Sequence, residues 1–592
     1  MPYFPTINET SSSREMIDVF QGYNHKLKID EGQFYDMKNL SSANYPILSP
    51  RGQRGVYASP TMPLGMVAKD TLCYVDGSKF VMDQYSVDMG LNSEEKTLVS
   101  MGAYVIILPD KKYINTADIT DFGNIEATVT TAGNVSFTLC RLDGTDYSAA
   151  YVQASEPSSP DNMTLWIDTS STPHALKQWS ESSGMWVTVA TTYIRISATG
   201  IGIPFEKHDG ITISGLEGVT LTDMDGNPID DGGQLAALEG SAIVWDKGDD
   251  FIVVVGILDV TRTITNAITI KRSMPNMDYV VEANNRLWGC RYGVADNGGI
   301  VNEIYASKLG DFKNWNCFMG ISTDSYAVSC GTDGQFTGAI THLGYPIFFK
   351  EGFLHKVYGN YPSNFQVQTT ACRGVQRGCS RSLAIVNEIL YYKARGAVCA
   401  YDGSLPTEIS AALGDVQYFE AVGGAHGNKY YLSMKDSSNL WHLFVYDTAK
   451  GMWHHEDNTH ADCFCSCREE MYFIDHADKK IRTVFGGGTK DTKPVEWMAE
   501  TGVIGADSPG RKYVSRLTVR MSLDMGAKVW FFVQYDSGGD WEYLFTMTGS
   551  SLRSFSVPIR PRRCDHLRLR VVGEGEAKIY SIAKVVEEGS DD

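Results

Sequence analysis

The chain is poor in everything that would mark a membrane, secreted or nucleic-acid-gripping protein. Its longest apolar runs, FIVVVGIL at 251–258 and AYVIIL at 103–108, fall far short of the ~20 residues a transmembrane helix needs. The start, MPYFPTINETSSSREM, lacks the basic flank and apolar core of a signal peptide, so synthesis in a cytoplasm is expected. Cationic residues are outnumbered, 52 Lys and Arg against 71 Asp and Glu, for a formal net charge of −19 over 592 residues. That balance works against a stable grip on DNA or RNA, which depends on Lys and Arg replacing condensed counterions. A wall of like charge can still guide DNA without holding it. The 12 cysteines show no framework of paired spacings and are read as free thiols. Long helical periodicity is scarce as well.

Aromatic residues and turn formers are abundant. There are 31 Tyr, 24 Phe, 11 Trp and 57 Gly, a composition that suits pleated, half-buried strands punctuated by tight turns. Short apolar runs broken by Gly, Asp and Asn recur every ten residues or so, the spacing of sandwiches, barrels and propellers. The expected fold class is all-β: a β-propeller with an inserted β domain and a C-terminal antiparallel β-sandwich. Residues 1–60 read as an extended arm or linker, because prolines, serines and glycines interrupt every element there. Residues 61–121 read as the first part of the propeller, with hairpins such as TLCYVDGSKFVM turning at Asp-Gly. The rhythm resumes over 275–494 as the second part. Between them, 122–274 is rich in Thr, Ser, Gly and Asp and reads as the insertion. The last segment, 495–592, alternates with period 2 as in SRLTVRMSL and HLRLRVV, which argues for a sandwich followed by an acidic tail.

The stretch VYDTAKGMWHHEDNTHADCFCSC, 445–467, gathers His454, His455, His460, Cys463, Cys465 and Cys467. Adjacent His454 and His455 on a strand face opposite sides and cannot share an ion. His455 and His460 lack the i, i+4 helical spacing, and zinc sites usually use a Cys-x-x-Cys knuckle rather than alternating cysteines. The stretch therefore reads as a turn flanked by Tyr446 and Trp453, leading into a strand with buried cysteines. GGGTKD at 486–491 lacks phosphate-loop spacing, and neither a G-x-S-x-G elbow nor the sialidase Asp box occurs. Asp230-Asp231 and Asp249-Asp250 are formal candidates for a glycosidase dyad or calcium, but in a chain with 71 acidic residues they read better as solvated loops. DMDGNPIDDGG from Asp223 is the most calcium-like stretch, without the Glu of an EF-hand. No catalytic residue, cofactor or metal is expected.

Two surface features stay open. Arg560, Arg562, Arg563, Arg568 and Arg570, with Arg553 nearby, concentrate positive charge in an acidic chain. They read either as a solvated sandwich face or as a docking surface for an acidic neighbour. Trp166, Trp179 and Trp186 in the insertion are either its core or exposed platforms for sugar rings.

Lys350 to Gly359, Gly378-Cys379-Ser380 and Ala397 to Gly403 give the stretch 348–403 a pattern similar to β-propeller virion proteins of tailed bacteriophages, the hub, nozzle or stabilisation proteins of the tail. VFQGYNHKLKIDEGQFYDMKNL near the start and the final segment from YVSRLTVRMSL onward resemble the same proteins. The resemblance implies a non-enzymatic virion tail component that forms a ring with copies of itself, usually six. Such a ring sits beneath the portal and adaptor, docks other tail proteins and lets viral DNA pass without sequence-specific binding. The alternative is a glycan-binding or carbohydrate-active propeller.

Overall fold

In the computed structural model, residues 12–158, 160–219, 221–222, 228–229, 233–295, 298–490, 493–505 and 510–588 are described. Among them the regular structure is β-strand, with five one-turn 3₁₀ segments and no α-helix. The class expected from composition is the one observed.

Seven sheets make a circuit. Six are four-stranded meanders, at 63–88, 97–124, 279–329, 336–371, 384–408 and 418–457. The seventh joins Ala461–Cys467, Glu470–Asp475 and Ile481–Thr483 to Gly55–Ala58 and Thr489–Lys490. Consecutive first strands touch. Pro63–Ala68 meets Thr97–Met101, which meets Tyr279–Ala283, and that strand meets Phe336–His342; Ala384–Val386 meets Tyr418–His426, which meets Ala461–Cys467. Phe336–His342 reaches the fifth sheet through the turn Ser380–Ser382, and Ala461–Cys467 returns to Pro63–Ala68. The arrangement is propeller-like. The hairpins follow from local chemistry: Asp76-Gly77 joins Leu72–Asp76 to Lys79–Met82, with Gly77 at φ +58°, a conformation that glycine adopts without penalty.

The seventh sheet is completed from the other end of the chain. Gly55–Ala58 lies antiparallel to Ile481–Thr483, so residues more than 400 positions apart share a ladder. Two further segments between residues 12 and 60 also join distant sheets rather than extending as an arm. Ser12–Ile17 pairs with Ala577–Glu588, and Phe34–Lys38 pairs with Glu496–Thr501.

Those two strands are edges of the C-terminal unit, which is organised around the 24-residue strand Lys512–Tyr535. Its first half pairs with Ala577–Glu588 and its second half with Leu567–Glu574, while Glu542–Val557 follows its other side along both halves. Register shifts around residues 521–528 bend the strand between the halves, as bulges do. Leu517, Val519, Met521, Val529, Phe531 and Val533 from one face are buried in a core that also holds Trp453, Trp497 and residues of the fourth to sixth sheets.

The insertion leaves and re-enters the circuit between the second and third sheets. Phe122–Asn124, expected at its start, is the fourth strand of the second sheet. Ala127–Thr130 and Thr269–Arg272 then pair antiparallel, holding the two ends together. A four-stranded and a five-stranded sheet share one apolar core, and a third, smaller sheet carries Leu165–Asp168, Ala175–Ser180 and Met185–Thr188. Within the insertion Arg272 and Asp209 form a buried ion pair, and Asn314 of the third sheet's long loop, donating to Asp209 at 2.8 Å, ties the insertion to the circuit.

Gly55 marks how closely the closing strand is fitted, because a Cβ there would lie 2.1 Å from the Gly487 carbonyl oxygen. Gly55→Ala is expected to cost about 1–3 kcal/mol as overpacking. Gly52→Ala, three residues away with open space around it, should stay within about 0.5 kcal/mol. Urea unfolding midpoints of the two variants check this; equal effects would show that the closing strand is not tightly packed.

Candidate functional site

Six of the seven sheets, with the turn Ser380–Ser382 that precedes the fifth, line a central cavity of about 640 Å³, bounded by Met66, Lys96, Tyr279, Ala339, Arg381, Val422 and Phe464 among others. The inner strands come close together because small residues line them: a Cβ on Gly423 would lie 2.7 Å from the Ser382 carbonyl oxygen. The cavity has the size of a small-ligand pocket. Its charges are the features that sequence reasoning missed, since Lys96, Asp110 and Arg381 belong to no motif: Lys96 and Asp110 flank the hairpin of Thr97–Met101 and Tyr104–Leu108, while Arg381 meets Glu95 only when the sheets close up.

Each cation of the wall is paired. Lys96, 2% exposed, pairs with Asp110 at 2.5 Å and also donates to Asn92 Oδ1. Arg381 pairs with Glu95 and donates to the Asp462 carbonyl at 2.7 Å. Lys111 pairs with Glu126 at 2.9 Å and donates to the Met274 carbonyl at 2.7 Å. Of the two lining carboxylates, Glu95 is thus taken by Arg381. The other, Asp278, accepts from the Tyr292 N–H at 2.8 Å, and burial raises its pKa above the ordinary aspartate value. Glycoside hydrolysis needs a pair of carboxyl groups flanking one bond, one acting as acid and the other as base or nucleophile. Here one is held in an ion pair and the other on the backbone.

The histidine-rich stretch divides as side-chain direction requires. On Met452–Asp457, His454 is buried and His455 faces the other side, 3.3 Å from His442 and 2.9 Å from the Met37 carbonyl oxygen. Tyr446 and Trp453 are cross-strand partners with ring centroids 4.9 Å apart. The Trp453 indole donates to the Ile409 carbonyl at 2.8 Å. Cys463 and Cys465 pack with Leu72, Met66 and Ile474 at the joint between the last and first sheets. Burial pushes the Cys463 thiol up to about 12 and raises that of Cys465 too, so both stay protonated and unreactive at neutral pH. His460 stands apart from His454 and His455, next to Asp462 and His476.

The arginine cluster splits in two. Arg568 and Arg570 on Leu567–Glu574 both engage Glu500, which is 4% exposed, and Arg570 lies 4.1 Å over the Trp541 ring. Arg560, Arg562 and Arg563 are exposed on the loop before that strand, with Arg562 2.9 Å from the exposed Glu542. The tryptophans of the insertion are not open platforms. Trp166 is 4% exposed and donates to the Gln153 carbonyl at 2.8 Å, and Trp186 packs edge-on between it and Trp179, with centroids 5.3 and 5.5 Å away. The rings cover one another because Trp179 and Trp186 are cross-strand partners. Asp249 and Asp250 sit at a hairpin turn, where Asp250 accepts the Gly200 N–H at 2.7 Å. Gly486 and Gly488 take φ of +87° and +75° in a turn leading to Thr489–Lys490. Asp230-Asp231 and most of the stretch from Asp223 lie outside the described residues.

No family model and no curated protein matches the chain. Solved structures with some likeness include U3-55K, at 9% identity and TM-score 0.24 over 52% of this chain and 88% of that one. An exo-β-1,3-galactanase from Phanerochaete chrysosporium with galactose matches at 8% identity and TM-score 0.21, over 62% of this chain and 99% of that chain. The Pyrococcus horikoshii acylaminoacyl peptidase matches at 10% identity and TM-score 0.22, over 52% and 50%. Likenesses this weak carry no conclusion about activity. No helix among the described residues is long and apolar enough to cross a membrane.

Two outcomes follow from the buried charges. Asp110→Ala strands the Lys96 ammonium and should cost about 3–5 kcal/mol, whereas Lys96→Met with Asp110→Leu should recover most of that loss; chemical denaturation of the three proteins decides. Burial, with Lys429 and Lys450 nearby and Asp447 opposing them, lowers the His454 pKa from 6.5 to about 3. The unfolded chain therefore binds more protons across that window, so the His454 contribution is complete above pH 6.5 and is lost as pH falls toward about 3. His454→Gln should flatten the fall in unfolding midpoint across the same window.

Proposed function

We propose that the protein is a structural component of a bacteriophage tail. In this reading it is a seven-sheet β-propeller carrying an inserted β domain and a C-terminal antiparallel β-sandwich. Copies assemble as a ring, taken as a hexamer, into a hub or nozzle around the DNA channel, and dock portal, adaptor or other tail proteins. It is a scaffold rather than an enzyme.

The observation that carries the reading is the central cavity. Lys96, Lys111 and Arg381 are neutralised by Asp110, Glu126 and Glu95, so the place where a propeller enzyme would keep reactive groups holds paired charges, two pairs within the second sheet and its connectors and one between Arg381 and Glu95. The resemblance of 348–403 and of both ends of the chain to tail proteins supplies the rest, and those two ends pair with each other. A cavity of about 640 Å³ suits a small molecule and not a duplex. DNA therefore passes between subunits, where an acidic surface repels phosphates and lets them slide. The packing of Trp166, Trp179 and Trp186 on one another favours their reading as core over sugar platforms.

Electron microscopy of purified protein and of virions tests this directly. Rings of defined order, and the chain in the tail, are expected; a strictly monomeric protein absent from virions overturns the proposal. Arg560→Glu with Arg562→Glu and Arg563→Glu should reduce incorporation into tails by about tenfold or more, as reversal of a docking charge does. Thermal stability should change little, since these side chains are exposed.

A further inference from the structure

His460 ends the connector from the sixth sheet to the seventh, and His476 follows the second strand of the seventh. The His476 N–H donates to the His460 carbonyl at 2.9 Å, and the two rings lie with centroids 4.0 Å apart. Trp441 of the sixth sheet stacks on His460 at 3.6 Å and 8°, which fixes the orientation of that ring. The strand register shifts between Ala461 and Cys463, leaving Asp462 as the extra residue of a bulge. Bulges re-aim side chains, and here the carboxylate turns to the histidines: Asp462 Oδ1 is 2.6 Å from His476 Nδ1 and 3.8 Å from His460 Nε2. Arg381 holds the bulge from the cavity side through the Asp462 carbonyl.

We propose that His460, Asp462 and His476 form a binding site for a divalent transition-metal ion of the zinc class, with a fourth position open to water, that clips the connector to the seventh sheet. One ligand atom from each residue lies within 4.8 Å of the others. A tetrahedral zinc ion with bonds of about 2.0–2.2 Å needs donor atoms about 3.3 Å apart, so the His476 contact widens slightly and the His460 contact closes slightly. Two imidazoles and a carboxylate suit zinc, nickel or cobalt better than calcium or magnesium. Burial, with His476 and Lys479 beside it, lowers the His460 pKa to about 4, leaving a neutral imidazole at neutral pH. Burial opposes ionisation of Asp462, yet hydrogen bonds from Lys479 and His476 hold its carboxyl below the ordinary range.

Lys479 distinguishes this site from an ordinary surface ion pair. Its ammonium lies 2.8 Å from Asp462 Oδ2 and 3.2 Å from His476 Nδ1, so it supplies positive charge where the ion would. Binding requires it to swing away, which a side chain 44% exposed on four rotatable bonds can do. Lys479 is therefore a competitor of the metal.

Calorimetric titration of zinc into chelator-treated full-length protein should show one site per chain. His460→Ala and His476→Ala should each weaken it by at least about tenfold, in the range that loss of a ligand or its support produces. Lys479→Met should tighten it severalfold; being exposed, this change leaves the core intact and keeps the test decisive if a histidine variant fails to fold. X-ray absorption of the bound ion should show nitrogen and oxygen donors with imidazole scattering. Absence of stoichiometric binding, binding indifferent to Lys479→Met, or sulfur among the donors each overturns the proposal.

Discussion

The structure depends on closure of its circuit by a strand from the opposite end of the chain. Gly55–Ala58 supplies an outer strand to the sheet that Ile481–Thr483 would otherwise end. Arg54, just before it, reaches Glu456 at 2.7 Å and Asp457 at 2.9 Å, and Arg51 adds contacts at 3.6 and 3.3 Å to the same pair. Although burial favours the neutral acid, Arg54 and Arg51 hold the Asp457 carboxyl well below the usual range. Taking these charges out of water is costly. Once they are paired, however, removing one partner costs about 3–5 kcal/mol, so the network punishes any arrangement in which the ends of the chain come apart.

That closure brings segments near both ends of the described chain into one unit. Segments flanking Gly55–Ala58 continue into the C-terminal unit, which gains edge strands from Ser12–Ile17 and Phe34–Lys38. Phe20, Phe34 and Met37 enter the same core as Trp453 and Trp497, so the propeller-like circuit and the C-terminal unit share apolar surface rather than meeting at a linker. Lys584 at 3% exposure of its side chain, paired with Glu15 at 2.9 Å and with Glu31, adds a charged fastening at the other edge.

How much was legible beforehand varied with the range of the interaction. Hairpins at Asp76-Gly77 and around Tyr446 and Trp453 were readable, because turn chemistry and cross-strand neighbours act within a few residues. The opposite facing of His454 and His455 followed from strand pleat alone. The boundary at 122 fell a few residues early because Phe122–Asn124 is short and pairs only with Lys112–Asn115. The arginines could not be sorted by sequence: Arg568 and Arg570 alternate on a strand whose neighbour happens to carry Glu500, nearly 70 residues away. The same limit hid the meeting of His460 with His476, since a bulge at Asp462 has no sequence signature of its own.

By itself, the sequence determined the strand-rich class, the position of many turns, the thiol state of the cysteines and the acidic balance of the surface, because each of these follows from composition or from neighbours along the chain. Only the tertiary structure decided that strands between residues 12 and 58 complete distant sheets, that the cations lining the central cavity are paired, and which arginines remain exposed. The ladders join residues hundreds of positions apart and the charge pairs depend on which strands and turns become neighbours, and a period-2 pattern specifies the face a strand buries without specifying the strand beside it.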